Sequence, residues 1–79
     1  MTIKEAIAQR ILQLCDENGI TLNKLSTTAG ITQSTLNDVV HGKSNNPTIK
    51  TIYLISSALG IELKDFFDSE IFQDLIFND

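Results

Sequence analysis

The sequence predicts an all-α protein, a compact bundle of five short helices with room for an additional short C-terminal helix. Two observations carry this. Apolar residues recur every three to four positions along most of the 79 residues, as the buried stripe of a helix does. Threonines and glycines stand where those stripes begin and end, and both residue types suit helix boundaries.

The first helix carries Ile3, Ala6, Ile7, Ile11, Leu14 and Cys15 on one face and is expected to stop near Glu17 or Asn18, before Gly19. Thr21 caps a second helix, whose apolar pattern starts with Leu22 and Leu25 and ends at Ala29 and Gly30. Thr32 caps a third, from Gln33 to about His41, with Leu36, Val39 and Val40 inward. The β-branched pair Val39 and Val40 invites a strand, but the spacing from Leu36 and the cap at Thr32 favour a helix. Residues 42–47 are turn-forming. Thr48 then caps a fourth helix bearing Ile49, Ile52, Tyr53, Ile55, Ser56 and Leu59, which Gly60 ends. A short helix covers Leu63 to Phe67, and an acidic amphipathic segment, residues 69–77, carries Ile71, Phe72, Leu75 and Ile76.

A chain of this length suits a single domain, residues 1–79, that buries only about 60 to 65% of its unfolded surface, so a second copy would help it. Hydrophobic residues at 42% and charged residues at 20% fit a globular protein and exclude a disordered one. No apolar run is long enough to span a membrane, and the N-terminal stretch reads as the first helix, not a secretion signal. One cysteine, Cys15, and one histidine, His41, exclude an internal disulfide framework and a Cys/His metal site. A reducing, cytoplasmic setting is consistent with this.

A net charge of −4 argues against a general polyanion binder, but the charge is unevenly placed. Residues 1–50 hold Lys4, Arg10, Lys24, Lys43 and Lys50 against Glu5, Asp16, Glu17 and Asp38, a balance of +1. Residues 51–79 hold Lys64 against Glu62, Asp65, Asp68, Glu70, Asp74 and Asp79, a balance of −5.

Residues 22–40 form the most informative stretch. Ser26 is small where two helices must cross closely, and Leu22, Leu25, Ile31 and Leu36 can fill the angle between them. Gly30 permits the positive φ that keeps the turn short. A three-residue turn of this kind lets the second helix enter a major groove while the first braces on the backbone. The ordered series Leu25, Ser26, Ala29, Gly30, Ile31, Thr32, Gln33, Ser34, Thr35, Leu36, Gly42, Lys43 and Pro47 resembles the phage-repressor type of helix-turn-helix, the lambda repressor and Cro-like transcriptional regulators. Ala58 to Ile61 and Leu63 to Phe67 resemble the family's fourth-helix ending and fifth helix, so the likeness covers about residues 3–68.

Outward positions of the third helix are the candidate base readers: Gln33, Ser34, Asn37 and Asp38. A glutamine amide pairs with adenine N7 and N6, a pattern that separates A·T from G·C, and the resemblance implies the same role for Gln33. Asp38 would repel phosphates unless it accepts from cytosine N4. Candidate backbone contacts are Thr21, Leu22 and Asn23 at the second helix's N-terminus, Thr35, and Lys43, Ser44, Asn45 and Asn46 after the third helix.

Two departures from the family stand out. Many members carry at Leu22 a glutamine that contacts phosphate and supports the first base reader. Many also pair a buried arginine late in helix one with a glutamate late in helix three, where this chain has Cys15 and Val40. Replacing both partners by apolar groups can be neutral or stabilising, so Cys15 is expected to pack against Val40.

Nothing points to catalysis. The chain lacks a Gly-rich phosphate loop, HExxH and G-x-S-x-G, and its single histidine has no spacing to Ser34 or Cys15 that implies a dyad. No cofactor or small-molecule ligand is expected. Ile71, Phe72, Leu75 and Ile76 either close the monomer or join two copies into a homodimer that reads a two-fold symmetric operator on double-stranded DNA, most simply as a repressor. The alternative is a helical protein-interaction or antitoxin-like module with weak DNA binding, suggested by the sparse basic charge, Leu22 and Asp38.

Overall fold

Threonine starts each of the four longer helices. In a computed structural model describing residues 1–43 and 46–77, the chain forms α1 (Ile3–Asn18), α2 (Leu22–Ala29), α3 (Gln33–Val40), α4 (Ile49–Ala58) and α5 (Leu63–Phe67), followed by a 3-10 turn at Glu70–Phe72. The hydroxyls of Thr2, Thr21, Thr32 and Thr48 accept the N–H of Glu5, Lys24, Thr35 and Thr51 at 3.2, 3.0, 3.0 and 3.1 Å. Each thereby satisfies one of the donors a helix N-terminus leaves open. At α1 the Glu5 carboxylate returns the bond by accepting from Thr2 N–H at 2.8 Å, which holds its pKa below the ordinary carboxylate range. The expected caps at Thr21, Thr32 and Thr48 are all present, and α3 ends at Val40, one residue short of the expected His41.

Helix ends follow a second repeated device. Ile20, Ile31 and Ile61 each donate backbone N–H to a carbonyl five residues earlier, Cys15, Ser26 and Ser56, at 3.0, 3.1 and 3.0 Å. The preceding glycine closes the inner bond of the same motif, and each isoleucine turns its side chain onto the core. Stopping a helix and packing the core are therefore one event at three corners.

The core comprises Ile7, Ile11, Leu14 and Cys15 of α1, Leu25 of α2, Leu36 and Val39 of α3, Ile52 and Ile55 of α4, and Phe66 of α5. α1 lies against α3, α2 bridges α3 and α4, and α5 closes on α4. Burying each such aliphatic side chain contributes roughly 1.5–3 kcal/mol. Cys15 is buried in this cluster and Val40 packs on its margin, so the two positions that hold an ion pair in many relatives are both apolar parts of one core. Burial raises the Cys15 thiol pKa, which keeps it protonated.

The buried arginine of this chain lies five residues earlier and has a different partner. Arg10 is 9% exposed; its Nε donates to the Phe66 carbonyl at 2.6 Å, and its terminal nitrogens donate to the Asp65 carbonyl at 2.8 Å and Gln13 Oε1 at 2.6 Å. The guanidinium thus caps the C-terminal end of the five-residue α5, where the helix dipole favours a cation. Arg10 lies on the α1 stripe three residues after Ile7 and four before Leu14, a phase that marks it for burial.

In the C-terminal amphipathic segment, the additional helix for which the sequence leaves room is a single 3-10 turn. Only Glu70–Phe72 turns, as a 3-10 element; Gln73 is extended and Asp74 has φ 56°. Two contacts pull the chain out of helical register. The Phe72 ring sits 5.1 Å from that of Phe67 and 6.1 Å from that of Phe66, and Ile76 N–H donates to the Met1 carbonyl at 3.0 Å. Ile71, Phe72 and Leu75 are half-buried within the chain, while Ile76 is 58% and Phe77 fully exposed.

Two substitutions test this packing by urea denaturation. R10A removes the guanidinium bonds to the Phe66 and Asp65 carbonyls, of which Asp65 keeps the Asp68 N–H, and is expected to lower stability by about 2–3 kcal/mol, with R10K restoring only part because an ammonium cannot fork. C15R places an unpaired charge against Val40 and should destabilise by several kcal/mol; an unchanged midpoint would show that this part of the core yields easily.

Candidate nucleic-acid interface

The interface begins with the turn between α2 and α3. Ser26 is buried; its hydroxyl donates to the Asn23 carbonyl at 2.8 Å, and its own carbonyl accepts Ile31 N–H. Gly30, at φ 74°, donates N–H to the Thr27 carbonyl at 3.3 Å. Three residues, Gly30, Ile31 and Thr32, therefore separate Ala29 from Gln33, and Thr32 both ends the turn and caps α3.

Helical phase then divides α3. Leu36 and Val39 are buried, whereas Gln33, Ser34, Thr35 and Asn37 are exposed and Asp38 is half-buried. Gln33 and Asn37 are four residues apart and Ser34 and Asn37 three, so these polar groups share one outward face. The Thr35 hydroxyl accepts from Thr32 Oγ1 at 2.8 Å, which leaves its hydrogen to point elsewhere.

At the start of α2, Thr21 and Asn23 are exposed, whereas Leu22 is half-buried and packs on the core. Leu22 can thus offer only its backbone N–H, one of the donors that helix geometry leaves open at an N-terminus. The Asn23 side chain has another task. Its Oδ1 accepts a hydrogen bond from Gln33 Nε2, tying the first turn of α2 to the first residue of α3. From the sequence Asn23 is a candidate backbone contact only; its ten-residue separation from Gln33 carries no periodic signal, and the resemblance directs attention to Leu22 instead.

Lys43 and Asn46 are exposed beyond α3, and Lys43 N–H donates to the Asp38 carbonyl at 2.9 Å. Ser44 and Asn45 lie outside the described residues. The His41 Nδ1–H donates to the Asn37 carbonyl at 2.8 Å, so that ring serves the end of α3. Lys24, Lys43 and Lys50 are exposed on α2, after α3 and in the first turn of α4, while Glu62, Asp65, Asp68, Glu70 and Asp74 lie on or beside α5 and the tail. The excess acid is thus carried by other elements than the turn and α3.

Comparison with known proteins decides the family. The family profile described as Helix-turn-helix matches residues 11–66, which contain the whole α2–turn–α3 unit. The chain belongs to this helix-turn-helix family, the lambda repressor and Cro-like transcriptional regulators. It is 31% identical over 62 residues to the HTH-type transcriptional regulator SlrR of Bacillus subtilis, covering 77% of this chain and 41% of that protein. It therefore spans about two fifths of that curated relative. Among solved structures, prophage Lp1 protein 11 superposes with a TM-score of 0.83 at 35% identity, covering 95% of this chain and 99% of that one. The N-terminal DNA binding domain of SinR from Bacillus subtilis gives 0.74 at 29% identity over 84% of this chain and 96% of that one. A structure of SinR, the master regulator for biofilm formation, in complex with DNA gives 0.70 at 31% identity over 78% of this chain and 98% of that one.

The family turn makes a stability prediction. A Cβ at Gly30 would meet no atom within 4 Å, so G30A should carry only the backbone penalty of a left-handed alanine, about 1–2 kcal/mol. G30N should lose less, and equal stabilities of G30A and wild type by thermal melting would remove the role given to this φ.

Proposed function

We propose that this helix-turn-helix protein binds double-stranded DNA sequence-specifically, with α3 in the major groove, and acts as a transcriptional repressor in the cytoplasm. The observation that carries the proposal is the exposed polar face of α3, with Gln33 at its first position and the α2 N-terminus beside it. That SinR, with its similar fold, is solved in complex with DNA supports DNA binding by this chain.

In this arrangement Gln33 pairs with adenine, Ser34 and Asn37 reach neighbouring base edges, and Asp38 accepts from a cytosine N4. The first-turn N–H groups of Leu22 and Asn23, with the Thr21 and Thr35 hydroxyls, meet one stretch of phosphates, and Lys43, Ser44, Asn45 and Asn46 the other. The chain acts as one domain without cofactor, metal or catalytic step; the buried Cys15 thiol and the occupied His41 ring fit that assignment.

Selection from a random duplex library followed by anisotropy titration tests the proposal. Q33A should lose the A·T preference at one position of each half-site, whereas K43A should weaken all duplexes alike and reduce the salt slope by about 1. No enriched motif at low or physiological salt would favour a protein-interaction module.

The proposed active form is a homodimer on a two-fold symmetric operator, joined through the C-terminal segment. Ile71, Phe72 and Leu75 shape that surface, and Ile76 and Phe77 supply its exposed apolar area. Sedimentation should give a dimer for the wild type and a folded monomer for I76D/F77D. A wild type that remains monomeric up to the highest soluble concentration would overturn the dimer.

A further inference from the structure

We infer that His41 binds a DNA phosphate through Nε2 as the imidazolium and not as the neutral ring, so that DNA binding by this chain takes up a proton. The inference rests on the major-groove docking proposed for α3. It starts from the hydrogen bond that the His41 ring makes through Nδ1 to the Asn37 carbonyl at 2.8 Å.

That bond fixes the tautomer. A carbonyl oxygen can only accept, so Nδ1 carries a hydrogen whatever the charge of the ring. In the neutral ring Nε2 is then a lone pair, which repels a phosphate oxygen. In the imidazolium it is a charged N–H donor, which a phosphate oxygen accepts. Nε2 makes no hydrogen bond or ion pair among the described residues, and both His41 and the nearby Lys43 are exposed.

Position along α3 assigns the ring to the DNA backbone. Ser34, Asn37 and His41 follow one another at three and four residues, a spacing that keeps them on the face of the proposed base readers. His41 stands eight residues after Gln33, about 12 Å along the helix axis, and a major groove is about 12 Å wide. A helix that reads bases with its first turn therefore brings its last residue to the phosphate wall. Lys24, Lys43 and Lys50 are few, so one more cation there is a substantial addition.

The other charged groups around the ring do not share its switch. Lys4 and Glu5 of α1 line the same groove as His41, Asp38 lies three residues before it on α3, and Lys43 two residues after. Lysines and carboxylates in general keep their charges over the range in which histidine changes its own, about pH 5 to 8, and the Thr2 N–H holds Glu5 ionised to still lower pH. Because the duplex favours the protonated ring, affinity is highest where the free ring already carries its proton. It falls as pH rises, by at most about one log unit per pH unit for one proton, until the ring is neutral in the complex as well.

The test uses the whole chain at low salt with the selected duplex and with a mixed-sequence duplex, since a phosphate contact needs no particular base. His41 is the one histidine of the chain, so a single Cε1–H signal follows its protonation by NMR. The midpoint of that titration should move to higher pH on the duplex. By anisotropy, affinity should fall roughly tenfold between about pH 5.5 and about pH 8, the equivalent of a one-unit displacement, and the salt slope should be steeper by about 1 at the lower pH. H41N should abolish this dependence and bind throughout as the wild type does at the upper pH, whereas H41K should bind at the upper pH as tightly as the wild type does at the lower. Duplex binding with an unmoved wild-type midpoint, or with a pH dependence that survives in H41N, would overturn this inference alone. No binding to either duplex at any pH would remove the docking of α3 and this inference with it. The midpoint is read on the wild type, so it decides even where a variant fails to fold.

Discussion

The hydrogen bond from Ile31 N–H to the Ser26 carbonyl is where chain direction, core packing and the exposed face of α3 meet. It goes with a left-handed φ at residue 30, which glycine takes without strain. Once made, it places Ile31 on the core and sets Thr32 to cap α3. The helical phase then follows: Leu36 and Val39 turn inward, and Gln33, Ser34 and Asn37 turn out. A change in that turn would rotate every outward group together, which is why a site of exposed side chains depends on a backbone bond at the turn beneath it.

The rest of the molecule keeps the turn in place with little material. Isoleucines 20, 31 and 61 each serve a helix stop and the core together, and α5 is too short to persist without packing, since one turn of helix does not offset its own nucleation. Arg10 compensates by donating to its last carbonyls, and Phe66 anchors it with no exposed surface. The cost of taking a guanidinium out of water is offset here by donors that meet oriented carbonyl oxygens and a glutamine oxygen.

Most of the fold was legible because it rests on local chemistry. Threonine caps, glycine stops and a three-to-four apolar spacing involve residues within one or two turns of each other, and Thr21, Gly30, Thr32 and Thr48 do what their types suggest. What sequence analysis missed depends on distant partners. Arg10 meets carbonyls 55 and 56 residues away, and Asn23 meets Gln33 across a turn. In the tail, Ile71, Phe72, Leu75 and Ile76 have a spacing that leaves room for a short helix. Spacing cannot report that Phe72 is drawn to Phe66 and Phe67 while the backbone of Ile76 pairs with Met1.

Charge sets the remaining constraint on function. Lys24, Lys43 and Lys50 are the exposed cations of α2, the segment after α3 and α4, and neutralising about three phosphates gives only a modest counterion-release term. A single copy would then depend on its few polar base contacts, each worth about 1–3 kcal/mol of discrimination, for most of its selectivity. Joining two copies doubles the phosphate contacts and makes the second half-site an intramolecular encounter, at an effective concentration on the order of millimolar for a short connection. The acidic second half of the chain fits the proposed dimer: carried on α5 and the tail, its charge weakens non-specific attachment to a polyanion, so in that proposal selectivity would rest on the α3 faces of both copies.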